Sequence, residues 1–171
     1  HYADTFLRLA RKYEGRLRFA FKPHPILKTK LYAPESWGRE RTDRYYREWA
    51  DMPHAELAEG AYVDLFCRSS ALVHDCSAFT VEYQIVGRPA LFMRKNGCLP
   101  HGLNRAAQEA FALHDMADSA EDIDSFLQKI AERRPDPVAD RRRVFIRDYL
   151  LPPRGATASE VIIDTLLTSR S

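Results

Sequence analysis

Residues 71–93 read ALVHDCSAFTVEYQIVGRPALFM, and their order of apolar and polar residues indicates the architecture of the chain. The apolar opening of this stretch, 71–73, is too short for a helix and is typical of a buried parallel strand. The polar residues 74–77 predict a turn, the mostly apolar run 78–86 predicts a helix, and 89–93 predicts a second buried strand. This order is a βαβ unit. Its polar turn follows the carboxyl end of a strand, which is where open α/β sheets bind ligands.

The polar turn and the start of the helix offer the groups of an anion site. Ser77 and Thr80 carry hydroxyls, and the first turn of a helix presents free amide groups at the positive end of its dipole. The alternative interpretation is that Ser77 only caps the helix while Thr80 faces solvent.

Patterns elsewhere predict that helices and strands alternate along the rest of the chain. Predicted helices cover 2–13, 41–50, 62–67 and 103–110, predicted strands cover 17–21, 54–57 and 111–113, and a loop covers 28–40. Capping boxes at Ser119-x-x-Asp122 and Thr157-x-x-Glu160 predict two later helices. We therefore expect one α/β domain, a three-layer αβα arrangement with a mostly parallel, Rossmann-like sheet.

Composition favours a globular domain and does not indicate nucleic-acid binding, disulfides, a zinc site or a membrane span. The 171 residues suit one domain, with 45% hydrophobic and 29% charged residues. A net charge of +2 is too small to predict nucleic-acid binding. Three cysteines without CxxC spacing favour reduced thiols in the cytoplasm over disulfides or a zinc site. No apolar run approaches the roughly 20 residues that cross a bilayer, so any membrane contact would be peripheral.

A rigid histidine follows the first predicted strand. Pro23 and Pro25 flank His24, and proline on both sides holds the backbone extended and excludes a helix. His24 would then lie just past a strand end, on the same rim as Ser77 if both strands are parallel. The alternative is a proline-rich turn with an exposed histidine.

Four stretches resemble one family. HDCSAFTVEY (74–83) with GRPALF (87–92) is similar to the donor-site signature of the CDP-glycerol glycerophosphotransferases, which include teichoic-acid primases, polymerases and capsule enzymes. FAFKPHP (19–25), YVDLF (62–66) and LPPRGATASE (151–160) resemble the same family, in the same order and spacing. The chain departs at Ala78, where relatives usually carry serine, so one hydroxyl of the phosphate site is absent.

The resemblance implies a fold, a reaction and a missing partner domain. It implies the carboxy-terminal, donor-binding half of a two-domain transferase of the GT-B type. Glycerol phosphate, or a related polyol phosphate, would pass from a CDP-linked donor to a hydroxyl of a cell-surface polymer or lipid-linked primer. We expect the chain to be a fragment, with the acceptor domain and the general base upstream, that binds nucleotide without turnover. The resemblance implies neither a metal nor a cofactor.

The resemblance also implies the site residues. His24 would contact the pyrophosphate or assist departure of CMP, while Asp75 would orient the turn. Glu82 would accept a ribose hydroxyl or, alternatively, be a buried carboxylate bonded to backbone. The residues expected to bind the phosphates and nucleotide are Lys22, His24, Asp75, Ser77, Ala78, Phe79, Thr80 and Glu82.

The sequence also permits other interpretations. The arginine-rich segment 133–149 could lie on the inner face of the cell membrane, hold an acidic polymer, or be a solvated helix face. The same architecture would also suit a UDP-sugar-dependent glycosyltransferase or epimerase, because fold does not fix the substrate. A third possibility is a non-catalytic module that binds nucleotide or carbohydrate.

Overall fold

The structure is a computed structural model that describes residues 2–152 and 155–168. Within these ranges the helices are α1 (Ala3–Lys12), α2 (Leu27–Leu31), α3 (Gly38–Asp51), α4 (Val63–Arg68), α5 (Ser77–Glu82), α6 (Arg105–Phe111), α7 (Ala120–Ala131), α8 (Ala139–Phe145) and α9 (Ala158–Thr168). A 3₁₀ segment, Tyr83–Val86, continues α5, and a π segment, Ile146–Leu150, continues α8. The strands are β1 (Phe19–Phe21), β2 (Ala55–Leu57), β3 (Leu72–His74), β4 (Ala90–Met93) and β5 (Asp115–Ala117).

Every strand pair between described residues is parallel, so the chain is an α/β protein compatible with a Rossmann-like fold. β1 pairs with β2, and a second ladder has the order β3-β4-β5. The parallel βαβ unit predicted around the polar turn is confirmed, because β3, α5 and β4 follow one another and the two strands are adjacent. The predicted single sheet is divided into these two ladders.

Helices cover both faces of the β3-β4-β5 ladder. Val73 and Leu91 are register partners and pack with residues of α1 and α7. Leu72 and Ala90, the preceding partner pair, pack instead with residues of α4 and α5. Because successive side chains of a strand point to opposite faces, these two clusters lie on opposite sides of the sheet. The helices and the sheet therefore form three layers at this ladder.

The predicted strand over 111–113 is wrong. Phe111 ends α6 and packs edge-on against Phe92, while Leu113 packs with Ala110 and Phe145, so both Phe111 and Leu113 are buried. The strand comes slightly later, at Asp115–Ala117, where Asp115 is exposed. β5 pairs only with β4 among the described strands. Such an edge strand needs no continuous apolar run, which is why the apolar pattern misplaced it.

The predicted loop over 28–40 contains a helix. α2 has no buried residue and therefore shows no apolar stripe. α3 begins at Gly38, earlier than its predicted start. Trp37, just before α3, packs edge-on against Tyr45 at 5.2 Å between ring centroids. The guanidinium of Arg41 lies 4.5 Å from the centroid of the Trp37 ring. The Trp37 indole therefore packs against α3.

Both predicted capping boxes are present. The Asp122 amide donates to Ser119 Oγ at 3.1 Å, and the Asp122 carboxylate accepts from the Ser119 amide at 3.0 Å. Thr157 and Glu160 make the equivalent exchange at the start of α9. The predicted tail motif over 151–160 includes Pro153 and Arg154, which lie outside the described residues.

The two tail helices differ in burial. α8 buries Arg142 and Phe145 against the domain, whereas no described residue of α9 is buried. No helix in the described ranges is long and apolar enough to span a membrane.

Candidate functional site

The polar turn after β3 is exposed and leads directly into α5. Asp75, Ser77 and Ala78 are all exposed. The N-cap of α5 is Cys76, and no side chain caps the helix. Ser77 is the first helical residue, so the interpretation that it only caps the helix is wrong. The first-turn amides of α5 therefore carry no side-chain acceptor.

The buried His74 side chain forms a hydrogen bond to the backbone of the turn. Its Nδ1–H donates to the carbonyl of Cys76 at 2.9 Å, and because a carbonyl only accepts, the proton of the neutral ring lies on Nδ1. His74 is buried, and burial lowers its pKa. The side chain of Asp75, which we expected to orient the turn, makes no hydrogen bond to any described residue. The orienting bond thus comes from His74.

Thr80 lies inside the domain. Its exposed fraction is 0%, and its Oγ1 has no hydrogen-bond partner among the described residues. Both the expected phosphate contact and the alternative of a solvent-facing hydroxyl need an accessible side chain. The buried Thr80 hydroxyl therefore neither contacts a phosphate nor faces solvent in this arrangement. Ser77 carries the one hydroxyl that α5 presents at the exposed turn.

Replacing Thr80 by valine tests whether that hydroxyl is idle. We expect Thr80→Val to leave the free energy of unfolding unchanged or to raise it by up to about 1 kcal/mol, because valine keeps the shape and removes an unpaired buried polar group. Urea denaturation measures the change. Ser69→Ala is the matched control. Ser69 Oγ donates to the Phe66 carbonyl at 2.8 Å and accepts from the hydroxyl of buried Tyr83 at 2.7 Å, so this substitution should lower the free energy of unfolding by about 1–3 kcal/mol. A clear decrease in the free energy of unfolding of Thr80→Val would show that the hydroxyl has a hydrogen-bond partner in the folded protein.

Phe79 and Glu82 contact α4 and the residue before it. The Tyr62 hydroxyl donates to Glu82 Oε2 at 2.8 Å, and this bond raises the pKa of Tyr62. The Phe79 ring packs against Tyr62 and Phe66 at 5.1 and 5.0 Å between centroids. Glu82 is exposed, so its interpretation as a buried carboxylate bonded to backbone is wrong. Phe79 packs against neighbouring rings instead of standing free at the surface.

The loop after β1 presents a histidine and a lysine. The amide of Ile26 donates to His24 Nδ1 at 3.3 Å, so the neutral ring carries its proton on Nε2. His24 is exposed, and this Nε2–H is available to an anion. Lys22, half-buried at the end of β1, has no carboxylate partner within the described ranges. The loop therefore supplies a donor of hydrogen bonds and a positive charge.

The predicted site residues fall into two groups. Lys22 and His24 follow β1, whereas the turn and α5 follow β3. Within the part of the chain that the structure describes, no hydrogen bond, ion pair or ring contact joins His24 to Ser77. A ligand long enough to touch both loops would have to bridge these groups.

A buried arginine ties the tail to α5, and the sequence did not predict it. Arg142 is 1% exposed; its Nη1 donates to Gln84 Oε1, and its Nη2 donates to the Leu113 carbonyl at 3.1 Å and to Asp136 at 3.0 Å. Gln84 in turn donates to the Thr80 carbonyl of α5 at 3.1 Å. For Arg142, the interpretation of 133–149 as a surface segment is wrong. The signal was Gln84, which with Glu82 interrupts the mostly apolar run 78–86.

A second histidine completes this polar core. The rings of His114 and His74 lie 5.2 Å apart between centroids. His114 Nδ1–H donates to the Ala110 carbonyl at 2.8 Å. The pKa of His114 is lowered to about 4, mainly by burial and to a smaller extent by the neighbouring His74 and Arg142. The Nε2 atoms of both histidines are buried without a described hydrogen-bond partner. The core under the turn is therefore polar and holds neutral histidines at pH 7.

Comparison of the chain with protein-family models, curated proteins and solved structures finds no match in any of the three. Within the described ranges, no group of three or more histidine, cysteine, aspartate or glutamate side chains could hold a metal ion. The fold defines the class, a parallel α/β domain.

Proposed function

We propose that this domain binds a CDP-linked polyol phosphate and supplies the donor site for its transfer. The polyol phosphate, glycerol phosphate or a related unit, passes to a hydroxyl of a cell-surface polymer or of a lipid-linked primer. The observation that carries the proposal is the exposed turn 75–78, which follows a parallel strand and opens a helix whose first amides lack a side-chain cap. Such a turn suits a phosphate group.

The proposed chemistry is a displacement at phosphorus. The acceptor oxygen bonds to the phosphorus of the polyol phosphate, the bond from that phosphorus to the CMP oxygen breaks, and CMP leaves with its electron pair. Lys22, His24 Nε2–H and the first amides of α5 stabilise the charge that builds on the departing phosphate. Binding both reactants in one geometry lowers the entropic part of the barrier. A base in the proposed acceptor domain takes the hydroxyl proton.

The proposal includes a larger assembly. This domain is the carboxy-terminal half of a GT-B-type transferase, and an amino-terminal domain holds the acceptor. The transfer takes place in the cytoplasm, at the inner face of the membrane, where a lipid-linked primer is accessible. The resemblance of residues 74–83 and 19–25 to the glycerophosphotransferase signature supports this arrangement.

One observation favours a second candidate, a nucleotide-binding module without catalysis. Thr80 is buried and Ala78 has no hydroxyl, so the turn offers an anion fewer side-chain groups than the family pattern provides. A module of this kind would bind the nucleotide through backbone amides and His24 alone. Substitution of Ser77 then separates the two, since a transferase would lose affinity for the phosphates with Ser77→Ala and the module would not.

Calorimetric titration of the chain with CDP-glycerol, CMP and a UDP-sugar tests the donor site. We expect cytidine nucleotides to bind and His24→Ala to weaken binding about tenfold, the effect of one charge-assisted hydrogen bond. His101→Ala is the control, because His101 is an exposed histidine on the loop after β4.

The same titration contains the contradicting results. Preference for uridine nucleotides would point to a UDP-sugar-dependent glycosyltransferase or epimerase of this fold. Equal binding by wild type and His24→Ala would remove His24 from the site. Absence of binding by every nucleotide would reject the donor-site proposal.

A further inference from the structure

A cleft of about 340 Å³ lies beside the β1–β2 ladder. It is lined by Lys28, Asp43, Tyr46, Arg47, Ala50 and Leu57. The cleft is open to solvent, and its volume lies near the lower end of the range of small-molecule sites, which begins at about 300 Å³. Lys28 belongs to α2, which starts shortly after His24, and Leu57 is the last residue of β2. The cleft thus neighbours the His24 loop, although none of the proposed donor-site residues lines it.

Two cations of the cleft are unpaired. Neither Lys28 nor Arg47 has a carboxylate within ion-pair distance in the described ranges. Lys28 Nζ lies 5.0 Å from the centroid of the Tyr46 ring, a cation–π contact that holds the ammonium group at the cleft. Arg47 is exposed. An ammonium and a guanidinium without a carboxylate partner favour a phosphate as the ligand.

The other lining residues suit a hydroxylated carbon chain. Asp43 Oδ1 accepts from the Tyr32 hydroxyl at 2.6 Å, while Asp43 Oδ2 has no described partner and can accept a bond from a ligand hydroxyl. Ala50 and Leu57 give the cleft an apolar part. Tyr46 is 3% exposed, and burial raises its pKa to about 12, so its phenol stays neutral and does not repel an anion.

We propose that this cleft binds a phosphate ester of a short polyol, such as glycerol phosphate. Lys28 and Arg47 bind the phosphate, Asp43 accepts a hydroxyl, and the carbon chain lies on Ala50 and Leu57. This inference rests on the proposed function and deepens it, because it names the ligand beside the nucleotide site. The cleft binds one polyol phosphate unit of the acceptor polymer, whose accepting end is held by the proposed amino-terminal domain, while the donor occupies the turn after β3.

Calorimetric titration with glycerol 3-phosphate tests the cleft. We expect Lys28→Gln and Arg47→Gln each to weaken binding about tenfold, and the double variant about a hundredfold, because each removes a charge-assisted hydrogen bond. Lys30→Gln and Arg44→Gln are matched controls on the same two helices that do not line the cleft, and they should leave affinity unchanged. Inorganic phosphate should bind more weakly than the ester, and Asp43→Asn should reduce that difference.

Each other outcome overturns the proposal in a defined way. Equal affinity for inorganic phosphate and the ester would reject the polyol part. Binding of anionic phospholipid vesicles that depends on Lys28 and Arg47, without binding of the soluble ester, would assign the cleft to a lipid headgroup. No binding of either, or equal losses in the control variants, would reject the cleft as a site.

Titration of the same variants with CMP separates this proposal from the proposed function. If both proposals hold, the double variant keeps CMP affinity, whereas His24→Ala keeps affinity for glycerol 3-phosphate. Binding of the ester at the cleft by a protein that binds no nucleotide would reject the donor site and leave the cleft standing.

Discussion

Replacing Arg142 by methionine is expected to lower the free energy of unfolding by about 3–5 kcal/mol, the cost of breaking a buried ion pair by removing one partner. The substitution leaves Asp136 Oδ2, the Gln84 amide oxygen and the Leu113 carbonyl without the arginine donor, while Asp136 Oδ1 still accepts from the Val138 amide. A domain of this kind is stable by about 5–15 kcal/mol, so the loss is a large fraction of the total. Urea denaturation followed by circular dichroism measures it.

Neighbouring arginines provide the control for Arg142. Arg141 is exposed, and Arg141→Met is expected to change the free energy of unfolding by less than about 0.5 kcal/mol. Arg142→Lys keeps the charge but cannot donate to three acceptors in a fork, so we expect an intermediate loss. Equal effects of Arg141→Met and Arg142→Met would show that the buried network contributes nothing. Such a result would contradict the arrangement of α8 on α5.

Substitution of Arg142 should also affect the candidate site at the start of α5. Arg142 donates to Gln84, and Gln84 donates to the Thr80 carbonyl within α5. If this chain of bonds positions α5, Arg142→Lys should weaken the proposed nucleotide binding at a temperature where the protein is still fully folded. Arg142 would then be a positioning residue, because it acts through Gln84 and touches no proposed ligand.

The sequence predicted the architecture around residues 71–93 because its signals there are local. Apolar runs of a few residues, a polar turn and a closing Gly87 specify strand, turn, helix and strand without reference to the rest of the chain. Gly87 has φ +66°, the left-handed conformation that commonly ends a helix. The capping box at Ser119 and Asp122 is equally local, and it was predicted correctly.

The parts that could not be predicted depend on contacts between distant residues. Arg142 and Gln84 are far apart in sequence, and nothing near Arg142 distinguishes it from the exposed Arg141 and Arg143. Burial of Thr80 depends on which face of α5 packs against the neighbouring elements, and the spacing of hydroxyls does not predict this. The cleft likewise joins Lys28 of one helix to Arg47 of another. Such tertiary neighbours need the folded chain.

Acidification is expected to destabilise the domain through His114. Burial lowers the pKa of His114 from 6.5 to about 4 in the folded chain, and the histidine regains its ordinary value on unfolding. Above pH 6.5 both states hold a neutral ring, and its full contribution to stability is present. As the pH falls from 6.5 towards 4, only the unfolded chain binds the proton, so stability is lost by about 2 kcal/mol at pH 5 and about 3 kcal/mol at pH 4.

The pKa of His74 is also lowered by burial, so His74 adds to the loss in the same direction. Urea denaturation at pH 7 and pH 5 measures it, and His114→Gln should remove most of the difference, since glutamine cannot take up a proton. His101→Gln, at an exposed position, is the control substitution. A His114→Gln protein that still loses about 2 kcal/mol at pH 5 would place the acid sensitivity elsewhere, because one buried histidine would no longer account for it.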